Sequence, residues 1–237
     1  MILANILLEF QWVNLLQPQF YIENGGLWLL LFVIFAETGL FAGFFLPGDS
    51  LLFVAGIYST DLANEVFPID NEFLQLILLF ILISAAGIIG NFVGYWFGRK
   101  SGPFLYHRKD TFFFKKKYLF QAKEFYDQHG ALAIIIARFL PFIRTFAPII
   151  AGVVEMDFKK FTLYNIIGCI CWVFSMLFAG HFLQKWIYGQ FGFDLKEHLE
   201  VIVLGIVFVT TAPVLWKVFF SKKKPVEKNT PKNPTIL

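Results

Sequence analysis

Four long apolar runs, around Leu27–Phe45, Phe73–Phe97, Phe161–Phe182 and His198–Phe220, leave this chain few ways to fold. Each is close to the ~20 residues that an α-helix needs to cross bilayer hydrocarbon. No water is available there for an unpaired backbone N–H, so such runs form helices. Only 16% of the 237 residues are charged, where a soluble domain keeps about a quarter. The expected class is an all-α integral membrane protein with one membrane domain over 25–220. The leading stretch MILANILLEFQWVNLLQPQF carries Glu9 and no basic residue, so residues 1–24 read as a retained interfacial helix rather than a signal peptide. Residues 221–237 read as a basic, disordered tail.

Charge is segregated along the chain. Residues 1–98 hold eight acids and no Lys or Arg; residues 99–237 hold all 20 basic residues and nine acids. Eight basic residues fall between Arg99 and Lys123 and six between Lys217 and Lys232, which puts the amphipathic loop 99–130 and the tail in the cytoplasm. The acidic loop Asp61–Glu72 belongs outside. If the segment Ala131–Val154 crossed fully, Lys159 and Lys160 would lie outside; if it dips in and returns, the basic clusters stay inside. Lys185 and Lys196, in the expected outer loop, are mild exceptions.

That segment contains RFLPFIRTFAPIIAG, Arg138–Gly152. Proline removes a backbone donor and clashes with the preceding turn, so Pro141 and Pro148 are expected to mark the turn and return of a re-entrant hairpin over about 131–154. The alternative is a spanning helix with two kinks. A counterpart stands earlier: LPGDSLLFVAG, Leu46–Gly56, against LPFIRTFAPIIAG, Leu140–Gly152, with Pro47 and Gly48 at the corresponding turn of a first hairpin over about 27–60. A second echo follows each, IIGNFVGYW at Ile88–Trp96 and IIGCICW at Ile166–Trp172. Paired broken segments in two halves point to a transporter built from an inverted repeat, with two opposed hairpins surrounded by transmembrane helices.

The hairpins carry Glu37 and Asp49 on one side and Arg138 and Arg144 on the other. A charge at mid-bilayer costs at least about 2.5–3.5 kcal/mol, so four on facing hairpins invite a function. Arginine offers a planar fork that matches phosphate oxygens, which makes Arg138 and Arg144 candidate phosphate ligands. A carboxylate taken out of water favours its protonated form, which makes Glu37 and Asp49 candidate proton carriers, or gates that pair with the arginines. A structural ion-pair set clipping the hairpins together is the competing reading. Asn91, Tyr164 and Asn165 are polar groups that line the pocket or brace the hairpins. Glycines 90, 94 and 98 form a smooth strip for close helix packing.

Other chemistry finds little support. Cys169 and Cys171 read as small core residues, with no metal-ligand spacing around them. His129 and His181, alone at segment edges, read as interfacial. Lys115–Gly130 interleaves basic and aromatic residues as a headgroup-resting helix would, and no nucleic-acid module accompanies it. No phosphate-transfer cluster or Walker loop is found, so neither an enzyme nor a cofactor is expected.

AETGLFAGFFLPGDSLLFVAG (Ala36–Gly56), GNFVGYWFGRKSG (Gly90–Gly102), RFLPFIRTFAPIIAG and DFKKFTLYNIIGCICW (Asp157–Trp172) together resemble the DedA family of VTT-domain membrane proteins. The resemblance covers roughly residues 25–220. It implies two opposed re-entrant hairpins and essential roles for Glu37, Asp49, Arg138 and Arg144. It also implies proton- or potential-linked movement of polyprenyl phosphate or another phospholipid across the bacterial cytoplasmic membrane. Asn91 stands where many members have Asp, and Phe142 where they have Gly. The expected function is a lipid flippase, with undecaprenyl or another polyprenyl phosphate as substrate, protons or another ion for coupling, and self-association into a homo-oligomer. The alternative is a proton-coupled transporter of small ions or drugs.

Overall fold

The computed structural model describes residues 18–40, 46–66, 68–107, 124, 141–199, 202 and 205. Helices α1 (Pro18–Gly39), α2 (Gly48–Ile57), α3 (Ser59–Asn64), α4 (Glu72–His107), α5 (Pro141–Val153) and α6 (Phe158–Phe191) are followed by a 3-10 turn, Leu195–His198. Of the interfacial helix expected over 1–24, residues 18–24 form the start of α1; its remainder, the loop from 108 onward apart from 124, most of the fourth apolar run and the tail lie outside the described residues.

Helix length separates two kinds of element. The 36 residues of α4 and the 34 of α6 are long and apolar enough to cross a membrane. The 10 residues of α2 and the 13 of α5 rise only about 15 and 20 Å, short of a hydrocarbon core ~30 Å thick. Side chains are distributed as in a protein bathed in lipid. Trp28 is 70% exposed while Glu37 is 2% exposed, and Asn91 and Asn165 are buried with it. A shared core draws Leu27, Leu30 and Ile34 from α1, Leu51 and Leu52 from α2, Leu79 and Ile83 from α4, and Trp172 and Leu177 from α6.

Two expectations need correction. Pro148 does not return the chain; it lies inside α5, which runs unbroken to Val153. Proline carries no N–H, so residue 148 gives no donor to the carbonyl of Arg144, four residues earlier, and its ring lies beside Gly94 on α4. The chain turns at Val154–Glu155 instead, where Glu155 takes φ 55°. Tyr95 Oη on α4 braces that turn by donating to Met156 O at 2.5 Å. The loop expected from residue 99 begins later, because α4 continues to His107. A break that was not foreseen occurs at Gly26 (φ 52°), where Glu65 accepts from the restarting helix at Leu27 N–H, 3.1 Å away.

The short helices are seated on the long ones by matching contacts. A methyl group at Gly56 on α2 would strike the carbonyl of Leu177 and the amide of His181 on α6. One at Gly152 on α5 would strike the carbonyl of Tyr95 and the amide of Arg99 on α4. Reciprocally, Gly180 on α6 lies against Phe53 O, and Gly98 on α4 against Ile149 O. The spacings agree residue for residue: each short helix offers a carbonyl three residues before its glycine, and each long helix does the same. The Ala-Gly endings that the sequence paired therefore occupy equivalent places.

At the end of the molecule away from Arg99, His181 is no isolated interfacial residue. It is buried, its Nδ1 2.8 Å from Ser59 Oγ on α3 and its Nε2 3.6 Å from Glu72 Oε1. Lys185 pairs with Glu72 and Lys196 with Asp61, each at 2.6 Å. Cys169 is buried and Cys171 exposed, neither in a disulfide.

Candidate functional site

Each charged group is presented near a helix end. Glu37 is the third residue from the C-terminus of α1, Asp49 the second of α2 and Arg144 the fourth of α5. A carboxylate in the first turn of α2 suits the positive end of the helix dipole, whereas a guanidinium in the first turn of α5 opposes it and needs anions beside it. The structure supplies two. Arg144 Nη2 donates to Glu37 Oε1 at 2.5 Å, and Arg144 Nη1 donates to Asp49 Oδ1. The three side chains are largely shielded from solvent.

Gly48 makes the convergence feasible. Glu37 passes so close to the backbone of α2 that any Cβ at position 48 would overlap its carboxylate. Pro47, outside the helix at φ −86° and ψ 54°, leads into this start, and Pro141 likewise opens α5. Both are tolerated there because the first turn of a helix needs no N–H partner. These two prolines and Gly48 thus occupy helix starts, where the sequence led one to expect hairpin turns.

A cavity of about 10 Å3, room for about one water molecule, adjoins the cluster. Glu37, Thr38, Asn91, Arg144 and Thr145 line it. Asn91 Nδ2 donates to Asn165 Oδ1 at 2.6 Å, which ties α4 to α6 beside the charges. Asn91 therefore lines the cavity, and its bond to Asn165 joins the two long helices rather than bracing a short one. Tyr164 is at neither; it packs against the aromatic cluster of Tyr95 and Phe161. Arg138 lies outside the described residues.

One residue of the site escaped the sequence reading. Trp172 on α6 donates its indole N–H to Asp49 Oδ1 at 2.8 Å, and its ring lies under the guanidinium, 4.8 Å from Arg144 Cζ. The paired echoes each end in tryptophan, Trp96 and Trp172, but Trp96 is 65% exposed and Trp172 only 1%. The motif alone does not distinguish them.

These features define a helical membrane protein with a buried guanidinium–carboxylate cluster where short apolar helices begin. The chain belongs to the DedA family of VTT-domain membrane proteins: the VTT domain matches residues 46–182, and several relatives cover most of its length. It is similar to Protein DedA of Escherichia coli K12, 35% identical over 201 residues, 84% of this chain and 85% of that protein. An uncharacterised membrane protein of Mycobacterium leprae is also 35% identical, over 206 residues, with 84% and 85% covered. Inner membrane protein YqjA of Escherichia coli K12 is 31% identical over 198 residues, 81% of this chain and 86% of that protein. No solved structure matches this chain.

Proposed function

We propose that this protein is a lipid transporter, a flippase that moves undecaprenyl phosphate, another polyprenyl phosphate or a related phospholipid across the bacterial cytoplasmic membrane, coupled to protons or membrane potential. The observation that carries this reading is the buried cluster, in which one guanidinium is held by carboxylates from two other helices. A phosphate offers a guanidinium the same paired oxygens as a carboxylate does. The adjoining cavity admits about one water, so a headgroup enters by exchange, taking Arg144 from Asp49 or Glu37. When all three groups are ionised they carry one net negative charge, and uptake of one proton neutralises them. Proton binding and release of the arginine are thereby linked.

The equivalent seats of α2 on α6 and of α5 on α4 support an inverted repeat, with α2 and α5 as arms of two opposed re-entrant hairpins. In this arrangement the basic segment 99–130, which begins at the end of α4, and the tail face the cytoplasm. Lys185 and Lys196, the exceptions to that charge order, are each paired with an acid at their own end of the molecule. On this reading the cluster serves transport rather than catalysis.

The test is reconstitution in liposomes with labelled polyprenyl phosphate, with and without a pH gradient. Accelerated flipping by the wild type, lost in Arg144→Lys, is the expected result. Arg144→Lys keeps the charge and loses the fork, so wild-type flipping by this variant counts against bidentate capture, and no flipping by the wild type counts against the function. The small cavity favours a second reading, a proton-coupled carrier of small ions. Cation flux in the same liposomes without lipid movement would establish it.

A further inference from the structure

Asp49 has two donors, and they belong to different helices. Arg144 reaches it from α5 and Trp172 from α6, both at Oδ1. The arginine in turn meets the tryptophan face-on. A guanidinium can use both contacts at once, because its N–H groups lie in its plane and its faces remain free to stack.

Exchange creates a difficulty that this arrangement answers. When a phosphate draws Arg144 away, Asp49 loses its charged donor while remaining out of water, and a buried carboxylate without a donor resists that change. The indole of Trp172 stays behind. Its ring is buried, and its helix is the one on which α2 is seated through Gly56 and Gly180. Trp172 and Asp49 are therefore held together independently of α5.

Building on the lipid-phosphate reading, we infer that Trp172 is a positioning residue for the exchange. Its N–H retains Asp49 at the site while Arg144 turns to the phosphate, and its ring face orients the guanidinium before the exchange.

Farnesyl phosphate, a short polyprenyl phosphate, tests this in detergent micelles, with farnesol as the control lacking phosphate. Binding is measured directly with radiolabelled ligand. Indole emission is read from protein in which Trp12, Trp28, Trp96, Trp186 and Trp216 are replaced by Phe, so that only the native Trp172 reports. Farnesyl phosphate should shift the emission at the concentrations that saturate binding, and farnesol should not. Trp172→Phe keeps the ring and removes the N–H. It should weaken binding about tenfold, the worth of one hydrogen bond to a charged group. Binding with no change in emission, or wild-type affinity in Trp172→Phe, overturns this inference and leaves the transporter reading standing. No saturable binding to the wild type overturns the lipid-phosphate reading and this inference with it.

Discussion

At the scale of single residues, the guanidinium of Arg144 holds together groups that would otherwise repel. Arg144→Met takes the guanidinium from Glu37 and Asp49 while both stay largely out of water. Removing one side of a buried ion pair costs about 3–5 kcal/mol, whereas replacing the whole set by neutral groups of similar shape is often tolerated. Arg144→Met should therefore lower the unfolding temperature in detergent well below that of the triple variant Glu37→Gln, Asp49→Asn, Arg144→Met. Equal melting of the two would mean that the charges contribute little to packing. The exposed pair Lys196–Asp61 gives a contrast. Lys196→Ala should change stability by no more than about 1 kcal/mol, because exposed ion pairs are screened and mobile, and the same melting assay checks it.

The legibility of the site follows the same physics. Glu37, Asp49 and Arg144 stand out in the sequence because a charge in an apolar run is expensive and needs a reason. Trp172 does not, since tryptophan is equally at home against lipid, as Trp96 is. Its role depends on which face of α6 meets α2. Asn91 and Asn165 were flagged as polar groups needing partners, and each is the other's partner across 74 residues of chain. Tyr164 met the same criterion and found its place in an aromatic cluster instead.

At the scale of elements, the four reciprocal glycines set how closely short and long helices approach. Gly56→Ala and Gly152→Ala each push a methyl group into a backbone carbonyl, which cannot move aside as a side chain can. Each should destabilise the protein by about 1–3 kcal/mol, the usual cost of overpacking. By the symmetry of the contacts the two losses should be similar, which unfolding in detergent can compare. Alanine at Gly189, where a Cβ meets nothing within 4 Å, should cost far less. The sequence disclosed the glycine strip on α4 through its four-residue spacing, but it misassigned Pro148. A proline in an apolar run can end a helix or sit inside one, as Pro148 does in α5, and the sequence pattern alone does not separate the two.

At the scale of the whole molecule, the cluster joins both halves of the chain. Arg144 comes from the second half; Glu37 and Asp49 come from the first. On the transporter reading, a ligand that takes the arginine frees the ends of α1 and α2 from α5 while the glycine seats keep the halves clasped, and coupling acts through the ion pairs of the resting state. An inward-directed and an outward-directed pH gradient should then change lipid flipping in opposite directions in oriented liposomes. Identical rates under both would separate transport from the proton.

The reciprocal seating of α2 and α5 also dictates an order of synthesis. A chain leaves the ribosome from its N-terminus, and Ser59, just after α2, binds His181, 122 residues later. Until α6 is made, α2 is too short to span the bilayer and lacks the long helix on which its Gly56 is seated. The two halves are clasped like interlaced fingers, each holding the helix that the other needs. Fragments divided within residues 108–123 should accumulate only when co-expressed, and neither should persist alone.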